Sequence, residues 1–211
     1  MTDRASARIS SRKAPKQARS NDLVTAILQA AIQVLAQEGA QRFTTARVAE
    51  RAGVSVGSLY QYFPNKAAIL FRLQSDEWRQ TSSLLGAILT DYSRAPLDRL
   101  RSLVHAFLQS ECEEAAVRGA LSDAAPLYRD APEAHAAKET DEPLIARFML
   151  ELLPQASAEA RELAGDLVTT TLSTVGKDFS TSPRTDKEIE VYAGAMADMF
   201  SSYLLGVAAG K

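Results

Sequence analysis

Cysteine is almost missing from this chain: Cys112 stands alone among 211 residues. That excludes an internal disulfide framework and fits a reducing compartment. Histidine is nearly as scarce, with two, so a structural zinc site lacks its ligands, and no metal or cofactor is expected. No apolar run approaches the length that spans a bilayer, which argues against a membrane partner. The basic N-terminus has no apolar segment behind it and is no secretory signal, so a cytoplasmic protein is expected. No stretch alternates apolar and polar residues long enough to argue for a strand. A nucleophile elbow, a glycine-rich phosphate loop and a paired metal motif are missing as well, so no enzyme is expected. No internal repeat is visible.

What the chain does hold is apolar residues, 46% of the total, enough for one large domain or two smaller ones. Its net charge of -2 conceals an asymmetry. Residues 1–80 carry 12 Lys and Arg against 6 Asp and Glu, a net +6, whereas residues 81–211 carry 12 against 20, a net -8. A basic front and an acidic back indicate that only the front meets a polyanion. Within the front, residues 1–20 hold Arg4, Arg8, Arg12, Lys13, Lys16 and Arg19 against Asp3 alone. Too few apolar residues are present there to form a core, and a disordered basic arm is expected. A DNA-touching arm and a solvated tail both fit it.

Apolar residues at three- and four-residue steps mark a series of helices. Leu23, Ile27, Ala31, Val34 and Leu35 form one stripe over Asn21–Glu38, and Gly39 suits a left-handed turn at its end. Thr44 offers an N-cap to a short helix, Thr45–Ala52, which Gly53 ends. A third helix runs from Val56 to Tyr62, with Pro64 in the turn beyond it. Asn65 caps a fourth, through Ile69, Leu70 and Leu73 to Trp78 or beyond. Further on, helices are expected over Leu97–Glu114, Pro143–Leu153, Ser157–Lys177 and Thr185–Val207, with "DAPEAHAAKE" as a loop. The expected fold class is all-α.

Helix, glycine turn and short helix form the helix-turn-helix spacing, which lays its second helix in the major groove of DNA. Leu59 and Phe63, four apart, anchor that helix, and its other face must present donors. The pieces "ILQAA", "EG", "FTT", "VAERAGVS", "GSLYQYFPNK" and "IL" agree in order and spacing, over Ile27–Leu70, with the TetR/AcrR family of bacterial transcription regulators, which this stretch resembles.

The resemblance implies a helix-turn-helix DNA-binding domain over 21–66, a helical ligand-binding and dimerisation domain over 67–211, and a connecting helix over about 65–80. It implies phosphate contacts from Thr45, Arg47, Tyr60, Tyr62 and Lys66. Tyr60, beside Leu59, is the tyrosine expected to be partly core. Ser55, Val56, Gly57 and Ser58 open the recognition helix where base edges are nearest, and Gln61 points towards bases or the far strand. Val56 departs from the Lys or Arg that many members carry there. Valine can contact a thymine methyl but cannot donate to guanine, which shifts base readout to Ser58 and Gln61.

In the rear half, Leu167, Thr171, Tyr192, Met196, Met199, Phe200 and Tyr203 exceed the stripe that one neighbouring helix covers. The resemblance implies a four-helix bundle with a second copy of the chain, and these residues are the expected dimer interface. Val104, His105, Phe107, Leu108, Cys112, Tyr128, Phe148 and Met149 are the expected lining of a pocket for a small apolar effector. His105 and Cys112 share a helix face; a metal or redox site, the polar edge of a pocket and a core histidine are three readings of that pair. The expected partners are double-stranded operator DNA, a second copy of the chain and the effector. The expected function is a ligand-responsive repressor, with a DNA-binding protein lacking an effector, and an enzyme, as the rival readings.

Overall fold

The computed structural model describes residues 9–10, 18–136 and 142–210. Ten helices follow in chain order among them: α1 Ala18–Arg42, α2 Thr45–Arg51, α3 Val56–Tyr62, α4 Lys66–Leu89, α5 Pro96–Glu113, α6 Ala115–Ala124, α7 Pro132–Ala136, α8 Glu142–Leu152, α9 Ala158–Phe179 and α10 Asp186–Ala208, with a 3-10 turn at Ala125–Leu127. No strand occurs among the described residues. Most of the basic arm expected over residues 1–20 lies outside them. Ile9, which is described, is 1% exposed and belongs to a hydrophobic core rather than to a solvated tail.

Local chemistry sets the helix ends. Gly39 breaks α1 with φ 73 and Gly53 closes the α2–α3 turn with φ 68, conformations that cost a residue with a Cβ far more than glycine. Thr44, Ser55, Ser157 and Thr185 each place a side-chain oxygen on a backbone N–H of the first turn of α2, α3, α9 and α10. Thr185 and Glu188 close a full capping box. Pro96 opens α5, where its missing N–H removes no helical bond.

The chain separates into two compact units. The first comprises Met1–Trp78 with Ala116–Glu139, the second Arg79–Ala115 with Thr140–Lys211. The packing therefore does not divide at residue 66: the first three turns of α4 belong with α1–α3, and so do α6 and α7. The sequence gives little sign of α6, because "AAVRGALSDA" offers only Val117 and Leu121 as large apolar residues. Pro132–Ala136, where a loop is expected, is the short helix α7.

The core of the first unit joins Ile27, Val34 and Leu35 of α1, Val48 of α2, Leu59 of α3, Ile69 and Leu70 of α4 and Leu121 of α6. Tyr128 is part of it: its hydroxyl stands 3.1 Å from Leu121 O and 3.2 Å from Gln74 Oε1, two acceptors that share its one proton, and its ring lies 6.0 Å from that of Phe71. Arg118 on α6 pairs with Glu77 on α4 at 3.0 Å, both largely buried. Within α1, Ser20–Arg42 is long and apolar enough to cross a membrane, which corrects the expectation that nothing approaches that length. Its apolar stripe, Val24, Ile27, Ala31, Val34 and Leu35, is buried in the core, while Asp22, Gln29, Gln33 and Gln37 are exposed. That is the pattern of a core helix.

In the second unit α5 is packed by α8, α9 and α10. Gly176 of α9 allows a close approach: a Cβ there would stand 2.8 Å from Phe107 Cε1 and 3.3 Å from Leu108 Cδ2. Arg99, 1% exposed, sits at the edge of this core. It donates to Leu89 O at the end of α4 and to the Glu151 carboxylate of α8, and its guanidinium carbon lies 5.4 Å from the Phe148 ring centroid. A buried guanidinium with such partners fixes its neighbours in place, because leaving it unpaired is costly.

Candidate nucleic-acid interface

The α2–α3 unit has two chemically distinct sides. Val48, Ala49, Leu59, Tyr62 and Phe63 are buried; Ser55, Val56, Gly57, Tyr60 and Gln61 are exposed. Residues 59, 62 and 63 fall at i, i+3 and i+4, one stripe of a helix, and Tyr60 and Gln61 are rotated away from it. The two tyrosines are therefore reversed from expectation. Tyr62 is 6% exposed and packed in the core, whereas Tyr60 is 39% exposed.

The outward side is organised by hydroxyls. Ser55 Oγ accepts from Ser58 N at 3.0 Å and lies 2.8 Å from Ser58 Oγ, which fixes both at the start of α3. Thr45 Oγ1, at the start of α2, lies 3.1 Å from Tyr60 Oη on α3. Gly57 is exposed, so a groove wall can approach its backbone closely. Gly53–Gly57 reads G-V-S-V-G, which does spell the letters of a nucleophile elbow. Ser55 there joins two helices rather than a strand and a helix, and its oxygen is engaged as a cap.

The cations fall into two settings. Lys66 is half-buried in the first turn of α4, where Asn65 Oδ1 caps by accepting from Ala68 N at 2.9 Å. Arg47 is exposed on α2, and its guanidinium pairs with the Glu38 carboxylate at the end of α1. Arg51, one turn on, donates to Gln37 Oε1 at 3.0 Å.

The residues expected to line an effector pocket do not all come together. Val104, Leu108, Phe148 and Met149 are buried in the core of the second unit, with Phe107 and Cys112 packed against it. Tyr128 belongs to the first unit. His105 is exposed, not a core histidine, and lines a groove of about 330 Å³ with Gln80, Thr81, Leu84, Gln109 and Glu113. Burial pushes the Cys112 thiol up, away from the reactive thiolate. Among the described residues no three His, Cys, Asp or Glu side chains are grouped to hold a metal ion.

The expected interface residues divide in the same way. Leu167, Tyr192 and Met199 are exposed, and Thr171 and Tyr203 half-buried. Met196 and Phe200 are 6% and 3% exposed and face their own core, a correction to their placement at the subunit surface. Leu163, Val191 and Leu205, each more than half exposed, lie on the outer face and were not anticipated. Apolar residues occupy most of the circumference of α10, so periodicity alone cannot divide an inner face from an outer one.

Together these features define a helix-turn-helix regulator. Residues 27–73 match the family profile "Bacterial regulatory proteins, tetR family", and residues 95–207 match "Tetracyclin repressor-like, C-terminal domain". The chain belongs to the tetR family of bacterial transcription regulators, which bind DNA and are typically dimeric.

Among curated proteins it is similar to the nucleoid occlusion factor SlmA of Vibrio campbellii, 39% identical over 83 residues, which are 39% of this chain and 42% of that protein. The SlmA of Marinomonas is 47% identical over 49 residues, 23% of this chain and 25% of that one. The chain thus spans less than half the length of these relatives. Among solved structures, the fatty acid degradation regulator FadR from Bacillus halodurans superposes with a TM-score of 0.66 at 19% identity, covering 92% of this chain and 97% of that one. NalD, the secondary repressor of the MexAB-OprM multidrug efflux pump in Pseudomonas aeruginosa, gives 0.60 at 18% identity, covering 88% and 97%. At such identities the structures share the fold alone.

Proposed function

We propose that the chain is a cytoplasmic repressor that binds a palindromic operator as a homodimer and releases it when a small apolar effector enters its second unit. The observation that carries the DNA-binding reading is the two-sided α3. Its inner stripe is fixed by Leu59, Tyr62 and Phe63, and its outer face offers Ser55, Val56, Gly57, Ser58, Tyr60 and Gln61. In the major groove, the first turn of α3 meets base edges, with Val56 against a thymine methyl and Gln61 reading polar edges. Thr45, Tyr60, Lys66 and Arg47 take phosphates.

A palindrome requires two α3 helices held ~34–36 Å apart, hence a dimer. The exposed Leu163, Leu167, Val191, Tyr192, Met199 and Leu205 of α9 and α10 supply an apolar face for a second copy. For the effector, Leu85, Ile88 and Leu89 at the end of α4 pack in the same core as Val104, Phe107, Leu108, Phe148 and Met149. A ligand entering among α5 and α8 displaces the helix whose first turn holds Lys66. A coupling of ~1–3 kcal/mol changes DNA affinity about 5–150-fold.

The test is selection of bound duplexes from a randomised pool, followed by salt titration of Lys66→Ala. An inverted repeat with half-sites one turn apart is expected. Lys66→Ala is expected to weaken binding to every sequence and to flatten the slope of log affinity against log salt by about 0.9. A pool without enrichment, or an unchanged slope, overturns the reading.

A second reading, DNA binding without an effector, is favoured by two observations. The curated relatives are named nucleoid occlusion factors. The residues proposed to line the pocket are packed to 0–3% exposure at Val104, Leu108, Phe148 and Met149. A panel of apolar compounds in which none changes operator affinity decides for it.

A further inference from the structure

We infer that Glu38 restrains Arg47 at the DNA face, so that the arginine contributes to binding only where a phosphate stands in register. The inference rests on the DNA-binding reading above and concerns one ion pair. Glu38 is the last residue of α1 before the break at Gly39. A carboxylate there faces the negative end of the helix dipole, so the stability of α1 does not account for it. Its carboxylate pairs instead with the guanidinium of Arg47, nine residues on. Arg47 is held at its other end by its backbone N–H, which donates to the Thr44 cap. Two residues before it, Thr45 carries the hydroxyl that meets Tyr60. Residues two apart on a helix point about 200° from one another, so Arg47 stands round α2 from the hydroxyl pair, exposed, and takes a phosphate of its own in the reading above.

The Arg47 and Glu38 side chains are 45% and 25% exposed. An ion pair this open to water adds little to stability and exchanges readily for another anion. While the pair holds, Arg47 brings no net charge to the duplex. On DNA of arbitrary sequence, where the docked register changes from site to site, the carboxylate keeps the guanidinium. On the operator, one fixed phosphate lies beside Arg47 and displaces Glu38. The acid thus lowers non-specific attraction more than operator binding, and the ratio between the two is the quantity a regulator needs.

The test uses the full chain, a random-sequence duplex and a duplex selected from a pool by the wild type. Glu38→Gln, nearly isosteric, is compared with Glu50→Gln, which removes another exposed acid from the same unit, after melting curves show that each variant folds. Glu38→Gln is expected to bind random duplex severalfold more tightly and to steepen its salt slope by about 0.9. The gain on the selected duplex is expected to be smaller, and in an Arg47→Ala background the change is expected to vanish. An unchanged slope overturns the inference. So does an equal gain in the Arg47→Ala background or in Glu50→Gln, because either shows simple loss of a repelling charge. Weaker binding by Glu38→Gln also overturns it, by making Glu38 a support for the Arg47 contact. A wild type that binds neither duplex removes the DNA-binding reading itself, and the restraint with it.

Discussion

Thr45 and Tyr60 meet through their hydroxyls, 3.1 Å apart, although fifteen residues separate them in the chain. One stands at the start of α2 and the other on the outer face of α3, so the pair spans the turn at Gly53 and presents two hydroxyls at one point. A phosphate oxygen placed there receives both. Hydrogen bonds to a charged group contribute about 1.5–3 kcal/mol each. Tyr60→Phe is therefore expected to weaken binding to all duplexes by about ten- to a hundredfold, without changing which sequence is preferred. Thr45→Val is expected to cost less in the Tyr60→Phe background than alone, because the two act on one phosphate. Fluorescence anisotropy on the four proteins checks it; full additivity would separate the two hydroxyls.

The division of α10 into two faces gives a second expectation. Met199 is 53% exposed and Phe200 3%. Met199→Glu is expected to give a folded, helical monomer, with Leu167→Glu on α9 behaving alike. Phe200→Glu buries an unpaired charge and is expected to unfold the second unit. Sedimentation together with circular dichroism distinguishes the outcomes. A Met199→Glu protein that still sediments as a dimer would place the interface elsewhere.

The glycines of two helices are expected to respond in opposite directions to alanine. At Gly176 an added Cβ stands 2.8 Å from the Phe107 ring, so Gly176→Ala is expected to destabilise by about 1–3 kcal/mol through overpacking. At Gly119 on α6 nothing lies within 4 Å of the added Cβ. Gly119→Ala is expected to stabilise by about 0.5–1 kcal/mol through the helix propensity of alanine. Phe107→Leu combined with Gly176→Ala is expected to recover part of the loss. Thermal melts of the three variants check both signs.

Stability at alkaline pH follows from Tyr128. Burial pushes its hydroxyl up from 10.0 to about 12, with the nearby Glu77 carboxylate adding to the shift. The unfolded chain loses this proton first, so between those values it binds fewer protons than the folded chain and is favoured as pH rises. The contribution is full below pH 10.0 and is lost as pH climbs through about 12. Tyr128→Phe is expected to cost about 1 kcal/mol near neutrality, from the hydrogen bonds to Leu121 O and Gln74, and to flatten the alkaline fall. Denaturant titrations of both proteins across that range check the slope.

The all-α class, the turn at Gly53, the caps at Thr44 and Asn65 and the boundaries of α3 were legible in the sequence. Each rests on the conformational limits of one residue or on contacts three or four positions apart. The outward placement of Ser55, Val56, Gly57 and Gln61 on α3 was legible for the same reason, once Leu59 and Phe63 had fixed which side turns in, but the tyrosines were expected the wrong way round. Tertiary packing decided the rest. The two tyrosines are not part of that rest: Tyr62, three residues after Leu59, shares its inward stripe, so the spacing already assigns it to the core and Tyr60 to the surface. Met196 and Met199 differ by their angle around a helix that is apolar on most sides, so the position of α5 assigned them. Helix α6 has too weak a stripe to be seen alone and is held to α4 by Arg118 with Glu77, and through Tyr128, which meets Phe71 and Gln74 of α4 and Leu121 O of α6. The approach of Glu38 to Arg47, and of Thr45 to Tyr60, has no sequence signal, because spacings of nine and fifteen residues across a turn follow only from how three helices close around Ile27, Val48 and Leu59.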